Sequence, residues 1–183
     1  MKTHPQQLAV RLARPEDCEG IARVKVDAWR TAYAHFMDAQ VLEGLDLSRE
    51  GHRWRERLDR PEDDQPVWTA HLSDEVAGFL VAGANRFPEV PADAEVHALY
   101  VHPEAQRKGV GRALLKEAVR WLSAKGYRSL VVFAFRDNRI GCSFYESLGA
   151  KLYDTGEYEV SGRKYPDVSY LWGSISDLER SLA

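Results

Sequence analysis

The chain has 183 residues, 44% of them hydrophobic and 29% charged, with a net charge of −3. That length suits one soluble domain, residues 1–183, able to bury roughly 70% of its unfolded surface without disulfide or metal staples. The weak charge gives no whole-chain argument for nucleic acid or membrane. No run approaches the roughly 18 apolar residues of a membrane span. Cys18 and Cys142, with an N-terminal MKTHPQQLAV that lacks an apolar h-region, read as reduced thiols in a cytoplasmic protein.

In chain order, Leu8 to Leu12 alternates as a first strand. Glu16 to Tyr33 reads as a helix with Ile21, Val24 and Ala28 on its apolar stripe. A second helical region spans Asp38 to Leu58, broken near Leu45 to Ser48, and Arg60 to Gln65 is a polar loop. Val67 to Leu72 and Val76 to Ala84 form a hairpin turning near Ser73 and Asp74. Phe87 to Asp93 is a connection with two prolines. Glu95 to His102 is a strand stopped by Pro103. After Gly109, the residues Val110, Ala113, Leu114, Ala118, Trp121 and Leu122 recur with helical period until Gly126. Ser129 to Phe135 has the near-continuous apolar run of a buried parallel strand. Asn138 to Leu148 is a short helix whose predicted buried stripe is Ile140, Phe144 and Leu148. Lys151 to Val160 and Lys164 to Trp172 close the chain as strands, with Gly162 between them. This order gives a mixed α/β (α+β) sheet of about seven strands flanked by helices.

Charge is unevenly distributed. Residues 107 to 128 hold seven basic side chains and one acid, so the segment is +6 and the remainder −9. At its start lies Gln106-Arg107-Lys108-Gly109-Val110-Gly111-Arg112, between a strand and a helix. A helix N-terminus offers unbonded N–H groups and a partial positive charge, glycines let a ligand approach the backbone, and three cationic side chains flank it. Together these suit a pyrophosphate. Leu114 stands where the dinucleotide fingerprint needs a third glycine, and the Gly-Lys-Ser/Thr of nucleoside-triphosphate loops is absent. Alone, the pattern also fits an ordinary glycine-started helix.

Gln106-x-x-Gly109-x-Gly111, after Leu99-Tyr100-Val101-His102-Pro103, resembles the acyl-CoA site of the GNAT superfamily of N-acetyltransferases. Asn138 with Phe144-Tyr145-x-x-x-Gly149 resembles that family's fourth-helix motif, and the element order agrees from Leu8 to Trp172. Gly141 and Ala150 depart from the family's usual alanine and aromatic. The resemblance implies a GNAT fold in which strands 4 and 5 splay apart around the pantetheine arm of acetyl-CoA. It implies cofactor contacts at Leu99, Tyr100, Val101, Gln106, Arg107, Lys108, Gly109, Val110, Gly111, Arg112, Asn138 and Tyr145. It further implies Glu95 as general base, Tyr145 as general acid and the Val101 N–H as oxyanion donor.

His97 competes with Glu95 for the base role. Strand alternation puts Glu95, His97, Leu99 and Val101 on one face unless a bulge intervenes. Trp29, Tyr33, Phe36 and His97 are the candidate acceptor-site residues, with core packing the alternative for Trp29. The acceptor implied is a small-molecule or peptide amine, and no metal site is expected. A non-catalytic CoA-binding module and a different acyl donor are the alternatives. A nucleic-acid module is disfavoured because the basic helix lacks interleaved exposed aromatics. A homodimer through an edge at Val168 to Trp172 is a further expectation by fold analogy.

Overall fold

The computed structural model describes residues 7–62 and 64–183. Most of the stretch expected to lack an apolar leader, residues 1–6, lies outside them, as does Asp63 of the expected 60–65 loop. The chain runs through β1 (Leu8–Leu12), a 3-10 turn, α1 (Cys18–Ala32), α2 (Ala39–Glu43), α3 (Leu47–Asp59), β2 (Val67–Leu72) and β3 (Glu75–Ala84). There follow β4 (Ala94–Val101), α4 (Val110–Ala124), β5 (Leu130–Phe135), α5 (Arg139–Ser147), β6 (Lys151–Val160), β7 (Arg163–Trp172) and α6 (Ile175–Leu182). The strands form one sheet in the order β1-β2-β3-β4-β5-β7-β6, with β4 and β5 parallel and the other neighbours antiparallel.

The two faces are covered by different helices. Val110, Leu114, Leu115, Ala118, Val119 and Leu122 of α4 are all buried, and they pack on Leu80, Ala82, Ala94, Val96, Leu130 and Val132 of the sheet. Ile21 and Val24 of α1 and Leu58 of α3 cover Phe79 and Val81 on the opposite face. The expected α1 stripe of Ile21, Val24 and Ala28 is buried as read.

Four expectations need correction. First, α6 was not anticipated. Its buried Ile175, Leu178 and Leu182, behind the Ser174 side chain that accepts from the Asp177 N–H, seal the far side of α4. Second, the stripe expected in α5 holds only in part: Leu148 is buried and Phe144 packs on the core, but Ile140 is 66% exposed, and Cys142 and Tyr145 are buried. Rows at i+3 and i+4 are equally helical, so the sequence pattern alone could not choose which one meets the sheet. Third, β7 is paired on both sides by β5 and β6, so Val168 to Trp172 is no edge; the free edge on that side is β6.

The fourth correction concerns β4. Val81 pairs with Ala98 but Ala82 with Val96, so His97 is the extra residue of a β-bulge. The bulge breaks alternation. Ala94 and Val96 lie on the α4 face, as do Leu99 and Val101, whereas Ala98 and Tyr100 pack on the α1 side. Glu95 stands opposite Gly83, and the position a Gly83 Cβ would take lies 3.3 Å from His97 Cε1. Glu95 and His97 therefore share the α1 face, away from Leu99 and Val101.

Candidate active site

The parallel pairing of β4 with β5 covers only Ala94 to Val96 against Leu130 to Val132. Beyond that point β5 continues against β7 as far as Phe135, and β4 loses its neighbour on that side. Between them opens a V-shaped cleft. The bulge decides which backbone groups face it. The His102 N–H donates to Ala77 of β3, so alternation turns Tyr100 toward β3 as well, and Leu99 and Val101 toward the cleft. Two residues expected at the cofactor are thus brought to the cleft by their backbones. Tyr100, expected with them, turns its main chain to β3 and its ring against Phe79, 5.5 Å between centroids.

At the open end of β4 a 3-10 turn, Pro103–Ala105, leads to Gln106 and α4. Arg107 (φ 60°) and Gly109 (φ 81°) are both left-handed, which reverses the chain so that α4 starts pointing its N-terminus at the cleft. A side chain at Gly109 would meet no atom within 4 Å, so its glycine serves backbone conformation and leaves the approach open. The first helical backbone bond comes from the Ala113 N–H to Gly109, which leaves the preceding N–H groups of α4 free. Arg107 and Lys108 are exposed, and Val110 is buried beneath them. Arg112 turns away, donating to the Ser181 carbonyl of α6. A left-handed turn rich in free N–H donors and cations is the donor set that a pyrophosphate requires.

Asn138 caps α5, its Oδ1 accepting the Gly141 N–H at 3.1 Å. An alanine Cβ at 141 would sit 2.6 Å from Asn138 Nδ2, so the glycine accommodates this cap. Tyr145, one turn on, is buried against Tyr170 and Trp172. Burial, with Tyr100 and Cys142 nearby, pushes its phenol well above the usual range. Among the described residues, Trp29 Nε1 is the one sealed side-chain nitrogen or oxygen without a partner. Among the described residues no hydrogen bond engages the Tyr145 hydroxyl, and that oxygen is not fully sealed.

On the α1 face, Glu95 is 1% exposed. Its Oε1 accepts from Arg86 Nη2 at 2.5 Å, and Oε2 accepts from Arg86 Nε at 3.1 Å and the Arg86 backbone N–H at 3.2 Å. Those hydrogen bonds raise the Arg86 pKa, with a smaller contribution from the Tyr158 phenol. His97 Nε2 is 3.1 Å from the Ala84 carbonyl and 3.9 Å from Glu95 Oε2. A carbonyl only accepts, so Nε2 carries the proton and Nδ1 the lone pair. Nδ1 has no partner and is not sealed. Burial lowers the His97 pKa, which keeps the ring neutral at pH 7.

Aromatic residues wall this face. Tyr33 lies 5.2 Å from Trp29, 5.3 Å from Phe36 and 5.1 Å from Phe135, so three acceptor-site candidates stand together. Burial pushes the Tyr33 phenol up, with the Tyr100 and Tyr145 hydroxyls nearby, and Trp29 belongs to the same cluster. The loop carrying Phe36 is pinned by His35 donating to the Asp137 carbonyl and by Asp38 paired with Arg163 at 2.6 Å. His97 is not part of this cluster. It belongs to the Glu95–Arg86 group. Sequence reasoning missed Arg86, Phe87, Phe133, Phe135 and Tyr158. Phe133 and Phe135 alternate with Val132 of the α4 face, a signal the sequence carried. Arg86 sits in an irregular loop, and nothing local marked it.

The sequence profile described as "Acetyltransferase (GNAT) family" matches residues 21–150. YuaI, an uncharacterised N-acetyltransferase of Bacillus subtilis (strain 168), is 30% identical over 176 residues, covering 96% of this chain and 98% of its own. Spermidine N(1)-acetyltransferase of Thermoplasma acidophilum is 26% identical over 159 residues, covering 86% and 98%. Among solved structures, PaiA N-acetyltransferase of Thermoplasma acidophilum, in complex with coenzyme A, matches with a TM-score of 0.71 at 23% identity. It covers 89% of this chain and 98% of that one. The chain belongs to the GNAT acetyltransferase family. It is an N-acetyltransferase, and its acyl-donor cofactor is acetyl-CoA.

Proposed function

We propose that this protein moves the acetyl group of acetyl-CoA to a primary amine by direct attack of the amine on the thioester. The observation that carries this reading is the cleft where β4 leaves β5, faced by the unpaired backbone of Leu99 and Val101. Those groups hold the amide-rich arm as if it were an added strand. Gln106 to Gly111, with the free backbone N–H of Arg112, hold the pyrophosphate, and Asn138 adds a contact to the arm. Bound acetyl-CoA supplies the activated acetyl thioester. The Val101 N–H donates to the thioester oxygen, a contribution of roughly 2.7–4 kcal/mol in a water-excluded site. The Tyr145 hydroxyl gives its proton to the departing sulfur.

Glu95 takes the proton of the amine. Arg86 donors engage both of its oxygens, but Oε1 has a single donor and keeps a lone pair for the amine's proton, taken directly or through a water. The free, neutral Nδ1 of His97 favours a second reading, with His97 as the base. The pH profile separates the two. With His97 as base, kcat/KM falls as pH drops through a pKa below the ordinary 6.5, and His97→Gln removes that limb while Glu95→Gln keeps it. Trp29, Tyr33 and Phe36 hold the body of the acceptor.

Thiol release from acetyl-CoA, measured against amines, amino acids, polyamines, aminoglycosides and short peptides, tests the function. Release with one chemical class is the expected result. Silence across the panel, with CoA still bound in a parallel calorimetric titration, would sink the transfer reading.

A further inference from the structure

Arg86 presents two edges. Its Nε–Nη2 edge is occupied by Glu95, which is itself sealed from solvent. Its other edge is not. The side chain is 54% exposed, and Glu95 is its only ion-pair partner among the described residues. The guanidinium is propped over the Phe87 ring at 5.9 Å, and Phe87 packs at a tilt against Phe133, 4.7 Å between centroids. Phe133 and Phe135 share the α1 face of β5, and Phe135 lies 6.0 Å from Tyr158. The exposed edge of an immobilised guanidinium therefore stands beside an aromatic floor, on the face that also carries Glu95 and His97.

The charge balance here is informative. Glu95 is neutralised by Arg86, and His97 is neutral. On the same face Asp38 is paired with Arg163, while Asp167, in register with Phe135, has no ion-pair partner among the described residues. A polyamine would bring a second ammonium, for which this face offers Asp167, whereas the open edge of Arg86 meets it only with like charge. A guanidinium edge instead matches a planar anion in bidentate geometry.

The geometry points to Arg86 as the residue that selects the acceptor: it binds a carboxylate carried by the substrate, so the substrate is an amino acid or another amine with an acid group. This rests on the amine-acetylation reading above. The amine then lies near Glu95 and His97, the carboxylate on the outer edge of Arg86, and the apolar part on Phe133 and Phe135.

The test uses the full-length protein, acetyl-CoA and acceptors matched except for the acid group. Phenylalanine, phenylalaninamide and phenethylamine form one set, leucine and leucinamide another, and spermidine is the polyamine. The expected result is a kcat/KM for the acids about tenfold or more above their amides, the effect of one charge-assisted hydrogen-bonded pair. Arg86→Met collapses that ratio toward one, mainly through KM, and Arg86→Lys restores part of it. Because Arg86→Met also strips donors from Glu95, the ratio is the readout, since a loss common to both acceptors cancels in it. Equal or better use of amides, phenethylamine or spermidine by the wild type overturns the inference, as does an acid preference unchanged in Arg86→Met. Either outcome leaves amine acetylation standing, whereas absence of thiol release from every amine overturns both.

Discussion

Tyr145 separates packing from chemistry at a single oxygen. Its ring is held by Phe144, Tyr170 and Trp172, while its hydroxyl has no partner among the described residues. Burial raises the phenol's pKa, so it stays protonated throughout the neutral range and remains a donor. Tyr145→Phe keeps the ring contacts and removes only that donor. It is expected to lower kcat by roughly 10²–10⁴-fold, with CoA affinity changed little. Stopped-time thiol release and a CoA titration on the same preparation check both halves. Wild-type turnover in the variant would remove Tyr145 from the mechanism. Motif spacing pointed to Tyr145, but its burial was not legible, because the i+4 row of α5 looked as apolar as the row that packs.

At the level of elements, α6 and the β4 bulge matter most to the site. α6 buries Leu178 at 1% exposure against α4, and the Ser181 carbonyl near its end accepts from Arg112 in the first turn of α4. The helix that follows the Gln106 to Gly109 turn is thus buttressed by the last segment of the chain. Leu178→Ala leaves a cavity there and costs about 2–5 kcal/mol. That should lower the melting temperature by roughly 5–15 °C in a chain of this size and weaken CoA binding. A melting curve that superposes on the wild type would mean α6 is not a buttress. The signals for α6 were present, with Ser174 as cap and Ile175, Leu178 and Leu182 at i, i+3 and i+7. The bulge left no such trace, since one extra residue in a strand depends on how β3 pairs with it.

For the molecule as a whole, buried titratable groups set a pH window. Burial lowers the pKa of His97 and of His71, the latter also facing Arg11. An unfolded chain therefore takes up protons below about pH 6.5 that the folded one refuses, and this stability is lost as pH falls below that value. Asp17 behaves as a carboxylate with a depressed pKa. Burial alone would raise it, but the Arg11 hydrogen bonds at 2.6 and 2.9 Å and the Arg14 N–H outweigh that. Its contribution is present above the ordinary carboxylate pKa and lost further down. Melting temperatures are expected to fall from about pH 7.5 to about pH 5.5, and again toward pH 4. A higher melting temperature at pH 5.5 than at 7.5 would contradict this linkage.

Alternation, helical period and glycine punctuation are local, and they determined the strand and helix order from Leu8 to Trp172 and the turn at Gln106 to Arg112, whose motif spacing carried the resemblance to the family. Short-range geometry suffices for these, because a turn's dihedrals and a helix's free N–H groups are properties of a few consecutive residues. Tertiary structure decided the rest: the bulge at His97 that puts Glu95 on one face and Leu99 and Val101 on the other, the burial of β7 behind β6, and the pairing of Arg86 with Glu95. Those depend on which strand lies beside which, and on where a loop residue such as Arg86 is carried by the sheet. No spacing along the chain encodes that, because the partners meet only after the sheet has closed around them.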